Sequence, residues 1–291
     1  MNAPMPSISQ INQPLLFEMI RSFTTLARTL NLSHAVAELN STRQTVRRHI
    51  TQLEEIKGSA LFSVENRQYR LTAFGARALP EAIDIMARGN AWLAGQSRRV
   101  DGLQYLHHVE PDGWCHYQQQ HPVSEVFTSD SGLLRSIIQA WTLASGDLEH
   151  EMLKEARPYC TISRPHNGEW LLTEVGEKSS YVTWFGWKAA RSNIGAALAQ
   201  MPGGQGFGRL VNSAYEEIRG THSVRLDHIY TQFPYGPDGK NSPICYQRLL
   251  LGARYPDGSY AMISAVRRTY DVEISGVTDE MLRQMPEEML M

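Results

Sequence analysis

Arg43, Gln44, Arg47 and Arg48 crowd six residues of the segment TRQTVRRHITQLEE, with no acidic residue among them. Guanidinium and carboxamide groups present paired hydrogen-bonding atoms. These match guanine and adenine edges in a major groove, and arginine also neutralises phosphate. The chemistry works only if something holds the groups together on one exposed surface. Val46, Ile50 and Leu53 recur at helical spacing in the same segment, so a helix burying them turns the arginines outward. Ser41 or Thr42 supplies its N-cap, and the free N–H groups of a helix start also favour phosphate oxygens. An ordinary solvated helix face is the competing reading. Three arginines in six residues without an acid favour a polyanion.

The neighbouring segments supply what such a helix needs for support. Residues 14–30 place Leu16, Met19, Ile20, Phe23, Leu26, Ala27 and Leu30 at helical spacing, with Pro14 where a missing N–H is tolerated. LSHAVAELN reads as a short second helix with Ala35, Val36 and Leu39 inward and Ser33 as its N-cap. After the arginine-bearing helix, Leu61-Phe62 and Tyr69-Arg70-Leu71 read as two strands turning at Glu65-Asn66. This basic hairpin is a wing, and Arg67 and Arg70 stand where they reach the sugar-phosphate backbone or minor groove. Thr72 caps a long helix to about Leu93, with Phe74, Ala78, Ala82, Ile85, Met86 and Leu93 along one side. Pro80 inside it predicts a kink. An apolar helix of this length needs a partner, and the same helix of a second subunit is the simplest one.

Residues 14–94 resemble the DNA-binding region of LysR-type transcriptional regulators. The likeness runs without a gap from LSHAVAELNSTRQTVRRHITQLEE through GSALFSVENRQYRLTAFGARALP. Helix, turn, recognition helix ending in Leu-Glu, Leu-Phe strand, basic wing and a Leu-Thr-x-x-Gly helix start follow in the family's order. By position, the resemblance places Thr42 at the capping serine and Arg43 at a base-contacting glutamine. Gln44 stands at the usual proline, Arg47 at the usual serine and Arg48 at the recurring arginine. Departures at 43, 44 and 47 put the family's usual operator preference in doubt. The DNA-binding set expected from residues and resemblance together is Ser33, Thr42, Arg43, Gln44, Arg47, Arg48, Arg67 and Arg70.

The family's usual companion is a periplasmic-binding-protein-like effector domain of two βαβ lobes, but no regular alternation of strand and helix follows here. A loose joint is expected at Gly95–Gly102, then an irregular stretch rich in His and Gln over 103–131. GLLRSIIQAWTLASG and LEHEMLKEA read as helices. YCTISRP and EWLLTEVG are strands turning at His166-Asn167-Gly168. A helical region follows, then a glycine-rich turn, the helix GFGRLVNSAYEEIRG, and SVRLDHIYTQF, ICYQRLLLGARY and SYAMISAVRR as three strands, the last two joined at Pro256-Asp257-Gly258. Two strands, several helices and three antiparallel strands are similar to a PAS sensor. A pocket would lie between the sheet and the short helices, taking Tyr181, Trp184, Trp187, His228, Tyr246 and Arg248 as ligand contacts. Alternation puts His228 with Val224, Leu226 and Tyr230, and Arg248 with Tyr246 and Leu250. An inward Arg248 or His228 would orient an acidic or heterocyclic ligand. Aromatic residues in a small sheet-helix domain also make ordinary core, which is the alternative for each.

Other candidates fall away. Gly203–Gly208 fits neither GxGxxG nor GxxxxGK[ST] and reads as a flexible turn. His107, His108, Cys115 and His116 lack zinc-ligand spacing, so no metal is assigned and no cofactor is indicated. Asp227 and His228 are adjacent on a strand and point to opposite faces, and no nucleophile motif such as GxSxG is present, so enzyme activity has no support. The 291 residues, 42% hydrophobic, suffice for two domains. Residues 1–100 carry 12 Lys/Arg against 7 Asp/Glu, and residues 101–291 carry 16 against 23. A basic front on an acidic remainder suits a chain whose first part meets nucleic acid. No membrane-length apolar run or secretory start is visible, and three dispersed cysteines suit the cytoplasm.

The expected fold is α+β: a winged helix-turn-helix over 1–72, a linker and dimerisation helix over 73–95, and a PAS-like sensor over 103–275. The expected function is transcription regulation on double-stranded DNA by a cytoplasmic homodimer or tetramer, controlled by a ligand or partner at the C-terminal domain. A winged helix repurposed for protein contacts, or an enzyme domain fused to a DNA-binding head, are the rivals.

Overall fold

Met19, Ile20, Phe23, Leu26 and Ala27 are buried along one side of α1 (Gln13–Thr29) in the computed structural model. It describes residues 13–291 except 66–67, 112, 129, 131, 167–168, 199–203, 222 and 236–239. The chain folds as two units, Met1–Asn90 and Ala91–Met291.

In the first unit, α1 packs with α2 (Leu32–Glu38) and α3 (Arg43–Lys57). Leu16 and Leu30, expected inward, are exposed; Leu30 lies past the helix end with a positive φ of 48°. Asn31, not Ser33, caps α2: its side-chain oxygen accepts from the N–H groups of Ser33 and His34. Asn31 therefore satisfies the orphan donors two residues earlier than the sequence suggested. Asn40, in the turn before α3, takes the left-handed region that asparagine tolerates. A two-stranded hairpin follows, β1 (Phe62–Glu65) with β2 (Gln68–Leu71). Its expected turn at Glu65-Asn66 and Arg67 lie partly outside the described residues. Glu54, the acid of the Leu-Glu pair, accepts from the N–H groups of Leu61 and Phe62 at 2.7 and 3.1 Å. That bond fixes where the hairpin leaves α3.

Thr72 caps α4 (Ala73–Leu93), accepting from Gly75 N–H at 2.9 Å, and the helix continues through Pro80. Ala82 is buried, with Phe74, Ala78 and Met86 packed on the same core. Ile85 and Leu93, expected on that side, are exposed.

The second unit is built on one antiparallel sheet of eight strands in the order β3-β4-β5-β8-β9-β10-β6-β7. Three strands occupy ground read from sequence as a loose joint and irregular chain: β3 (Ser97–Val100), β4 (Leu103–Val109) and β5 (Cys115–His121). Next come α5 (Glu125–Thr128) and α6 (Gly132–Leu143). The expected helix LEHEMLKEA is only a short 3-10 turn at Glu151–Leu153. The expected hairpin is β6 (Cys160–His166) and β7 (Glu169–Val175); its turn residues Asn167 and Gly168 lie outside the described residues. Helices α7 (Ser180–Phe185), α8 (Trp187–Ser192) and α9 (Gly204–Thr221) follow. Gly204 and Gln205, expected in a turn, instead begin α9, which takes in the helix expected from Gly206; Gly203 lies outside the described residues.

The remaining strands are β8 (Val224–Tyr235), β9 (Lys240–Arg254) and β10 (Tyr260–Arg268). Gly258, with φ of 78°, turns β9 into β10 as expected. The chain continues past residue 275 into the fold, through α10 (Asp279–Leu282).

The sheet is covered on both faces. Leu134 and Ile137 of α6 pack on Leu226, Leu249, Leu251 and Ile263. Ala214, Tyr215 and Ile218 of α9 pack with Leu250 and Met262, which alternate with the first set and so face the other way. Val272, Ile274, Leu282 and Met285 of the C-terminal segment close a further part of the core near Cys245.

Gly75 is the tightest backbone position of the first unit. A Cβ there would overlap the carbonyl of Leu61, a backbone atom that cannot swing aside. Gly75→Ala should therefore destabilise that unit by about 3 kcal/mol or more, in the range of severe overpacking. Urea unfolding followed by circular dichroism measures it, and a loss below about 1 kcal/mol would contradict the close approach.

Candidate functional site

Helix α3 holds Val46, His49, Ile50 and Leu53 buried, which leaves Arg43, Gln44, Arg47 and Arg48 exposed on the opposite side. Thr42 fixes the start of this face: its hydroxyl oxygen accepts from Thr45 N–H at 3.1 Å. Its role here is that of the cap. Gly58 ends the helix with φ of 66°, a left-handed C-terminal position suited to glycine. His49 anchors the buried side through Ser22 of α1 at 2.8 Å. Burial, reinforced by Arg48, lowers its pKa, so it packs as a neutral ring. The sequence reading missed it, since a polar residue gives no hint of packing inward.

The arginines are not equivalent. Arg43 donates from Nη2 to Ser33 Oγ at 2.8 Å, so this pair joins the starts of α2 and α3. Arg47 and Arg48 make no ion pair or side-chain hydrogen bond among the described residues, and their full donor sets face solvent. Arg70 lies 3.5 Å from Glu65 across the hairpin, both well exposed. Such a pair contributes little and exchanges readily for a phosphate. Arg67 lies outside the described residues.

In the second unit, Tyr181, Trp184, Tyr246 and Arg248 line one cavity of about 180 Å³ between the sheet and α7. Two expected ligand contacts are elsewhere. Register pairs Asp227 with Arg248 and His228 with Gln247, so His228 faces away from Arg248 and Tyr246. Trp187 is 49% exposed, beyond the Gly186 break that separates α7 from α8.

Arg248 Nη2 donates to Asp227 Oδ2 at 2.9 Å, and Arg225 Nε to Asp227 Oδ1 at 2.8 Å. Burial alone would raise the Asp227 pKa, but the two guanidiniums outweigh it and hold the carboxyl below its usual range. Arg225 also donates to Glu217 and Gln104, each at 2.7 Å. The Tyr246 phenol is pushed up to about 12 by burial, so it serves the cavity as a neutral hydroxyl.

His228 does different work with His121. Their rings stack with centroids 3.8 Å apart. Glu273 N–H donates to His228 Nδ1 at 3.0 Å, and His121 Nε2 donates to Glu273 carbonyl at 2.8 Å. The two rings thus clip the C-terminal segment to the sheet. His121, Glu125 and His228 do offer ligand-type atoms within 4.8 Å of one another. A neutral His228 accepting at Nδ1 carries its proton on Nε2, however, and has no lone pair left for a cation. Burial first, then the neighbouring His121, lowers its pKa to about 3.

Residues 17–76 match the family model described as bacterial regulatory helix-turn-helix protein, lysR family. This segment is a LysR-type helix-turn-helix DNA-binding domain. Among solved structures, oxidized OxyR from Corynebacterium glutamicum is similar at 22% identity over 27% of this chain and 26% of its own, with a TM-score of 0.27. A LysR-family transcriptional regulator from Eggerthella lenta is 38% identical over 23% of this chain and 93% of its own, with a TM-score of 0.21. The CbnR DNA-binding domain, solved with DNA, is 28% identical over 27% of this chain and 85% of its own, with a TM-score of 0.23. The chain thus spans about a quarter of the OxyR length. No curated protein matches it significantly.

The neutral His228 makes stability depend on pH. Unfolding frees the ring to take up a proton near its ordinary 6.5, whereas the folded ring resists protonation down to about 3. Its contribution is complete above about pH 6.5 and is lost as the pH falls toward 3, at about 1.4 kcal/mol per pH unit. His228→Gln should flatten the stability-versus-pH curve between pH 6 and 4 by that one-proton slope, read by urea titration. An unchanged slope would mean that the folded ring is already charged.

Proposed function

We propose that the chain is a transcription regulator that inserts α3 into the major groove of double-stranded DNA and responds to a small molecule held in the Arg248 cavity. The observation that carries the first half is the exposed, acid-free set of Gln44, Arg47 and Arg48 on a capped helix, within a segment that matches a DNA-binding family. Arg47 and Arg48 read bases or bind phosphate, Arg43 holds the α2–α3 geometry, and the β1–β2 hairpin adds backbone contacts.

The C-terminal unit acts in this reading as a PAS-like sensor. Support comes from the succession β6-β7, three helices, β8-β9-β10, and from a cavity between sheet and helices. β3, β4 and β5 are then additions to the free edge of β8. A homodimer, or a tetramer built from it, pairs through α4, which leaves Ile85, Trp92 and Leu93 exposed. No described helix is long and apolar enough to cross a membrane. A ligand shifts operator affinity only as far as it binds the two arrangements of the regulator differently.

Selection of genomic fragments by the purified protein supplies an operator for quantitative tests. Arg48→Ala should weaken operator binding by about 1–3 kcal/mol at fixed salt. Arg67→Ala should weaken binding to every sequence and reduce the salt slope by about one. A salt-insensitive or sequence-blind wild-type complex would remove the reading. Ile85→Glu should shift the species seen in sedimentation velocity toward monomer, and an unchanged distribution would take α4 out of the subunit contact.

A further inference from the structure

The cavity beside Arg248 contains a cation and no acid. Among its described lining residues Arg248 carries the charge, and the rest are aromatic, aliphatic or hydroxyl-bearing, including Tyr181, Trp184, Tyr215 and Ser264. Arg248 is 6% exposed, yet its Nε is buried without a hydrogen-bond partner, and its guanidinium sits 5.7 Å from the Tyr215 ring. A buried donor left unpaired is costly, so a site that supplies an acceptor is favoured.

Charge balance points the same way. Two guanidiniums, of Arg225 and Arg248, are buried around the single buried carboxylate of Asp227. The other acid, Glu217, reaches Arg225 from a side chain that is half exposed to solvent. Water screens that contribution, so the interior of the cluster is left short of negative charge on the side of Arg248. Size limits the occupant. The volume of about 180 Å³ suits a small occupant such as a single ring.

We propose that this cavity binds a small monoanion, a carboxylate on a single flat or compact ring. Arg248 receives the charge and the aromatic side chains of Tyr181, Trp184 and Tyr215 enclose the body. Asp227 is a positioning residue: it holds Arg248 by one amino group and leaves the rest of the fork to the ligand. The inference rests on the sensing role proposed for this cavity and adds the chemical class it selects.

Calorimetric titration of the full chain with phenylacetate, nicotinate and cyclohexanecarboxylate, each against its neutral amide, tests it. At least one acid should bind at least tenfold more tightly than its amide. Arg248→Met, which leaves Asp227 still paired with Arg225, should bring that pair within twofold, and Arg248→Lys should restore part of the preference. Ser264→Leu, which fills the cavity, should abolish binding of both members. Amides that bind as well as acids, with binding still lost in the filled variant, would overturn the anion class while leaving the cavity a receptor. Retention of the acid preference by Arg248→Met would overturn the role of Arg248. If no acid and no amide binds the wild type, this inference falls together with the sensing role.

Discussion

A carboxylate out of reach of water stays ionised only if cations come to it, and Asp227, with no solvent exposure, is reached by two. The consequences spread through the second unit. Arg225 on β8 continues from Asp227 to Gln104 on β4 and Glu217 on α9, while Arg248 brings in β9. Four elements are therefore tied to one charge. The register Asp227↔Arg248 is also protected by it. A slip of one residue would set Gln247 or Leu249 opposite the carboxylate, strand the Arg248 guanidinium and turn every side chain of β9 to the wrong face.

The first unit uses the same residue type under the opposite condition. Arg47 and Arg48 stand in solvent, where hydration stabilises an unpaired charge and no compensating acid is required. An acid beside them would compete with phosphate, and none is present from Arg43 to Ile50, the first two turns of α3. What the unit must supply is orientation. Thr42 and Asn31 cap the two helices, the Ser33–Arg43 bond joins their starts, and Glu54 ties α3 to the hairpin. Water decides the use of arginine in each place: exposed, it is free to bind a polyanion; enclosed, it organises a sheet and borders a cavity.

Most of the first unit was open to reading because its signals are local. Helical spacing of Val46, Ile50 and Leu53, a capping threonine and a short basic hairpin each act within a few residues of chain. Even there, the choice between Asn31 and Ser33 as cap depended on where the backbone first turns, and the inward His49 depended on Ser22 from another helix. The second unit gave up its later strands, β6 to β10, through short apolar stretches set off by turn residues, the Pro-Asp-Gly turn among them. It concealed β4 and β5. LQYLHHV and CHYQQQH alternate no hydrophobic pattern, since both faces of the sheet are covered and several of their buried positions, such as His116 and Gln118, are polar.

The amino-acid order alone therefore determined the helix-turn-helix, its exposed cations, and which residues of any one strand share a side, because each follows from covalent spacing over a few residues. Only the tertiary structure decided that Arg248 and His228 face opposite ways. That relation is set by the hydrogen-bonded register between two strands, and spacing along a single strand carries no information about it. It likewise decided which arginines are enclosed, since solvent exclusion is a property of all the surrounding elements together.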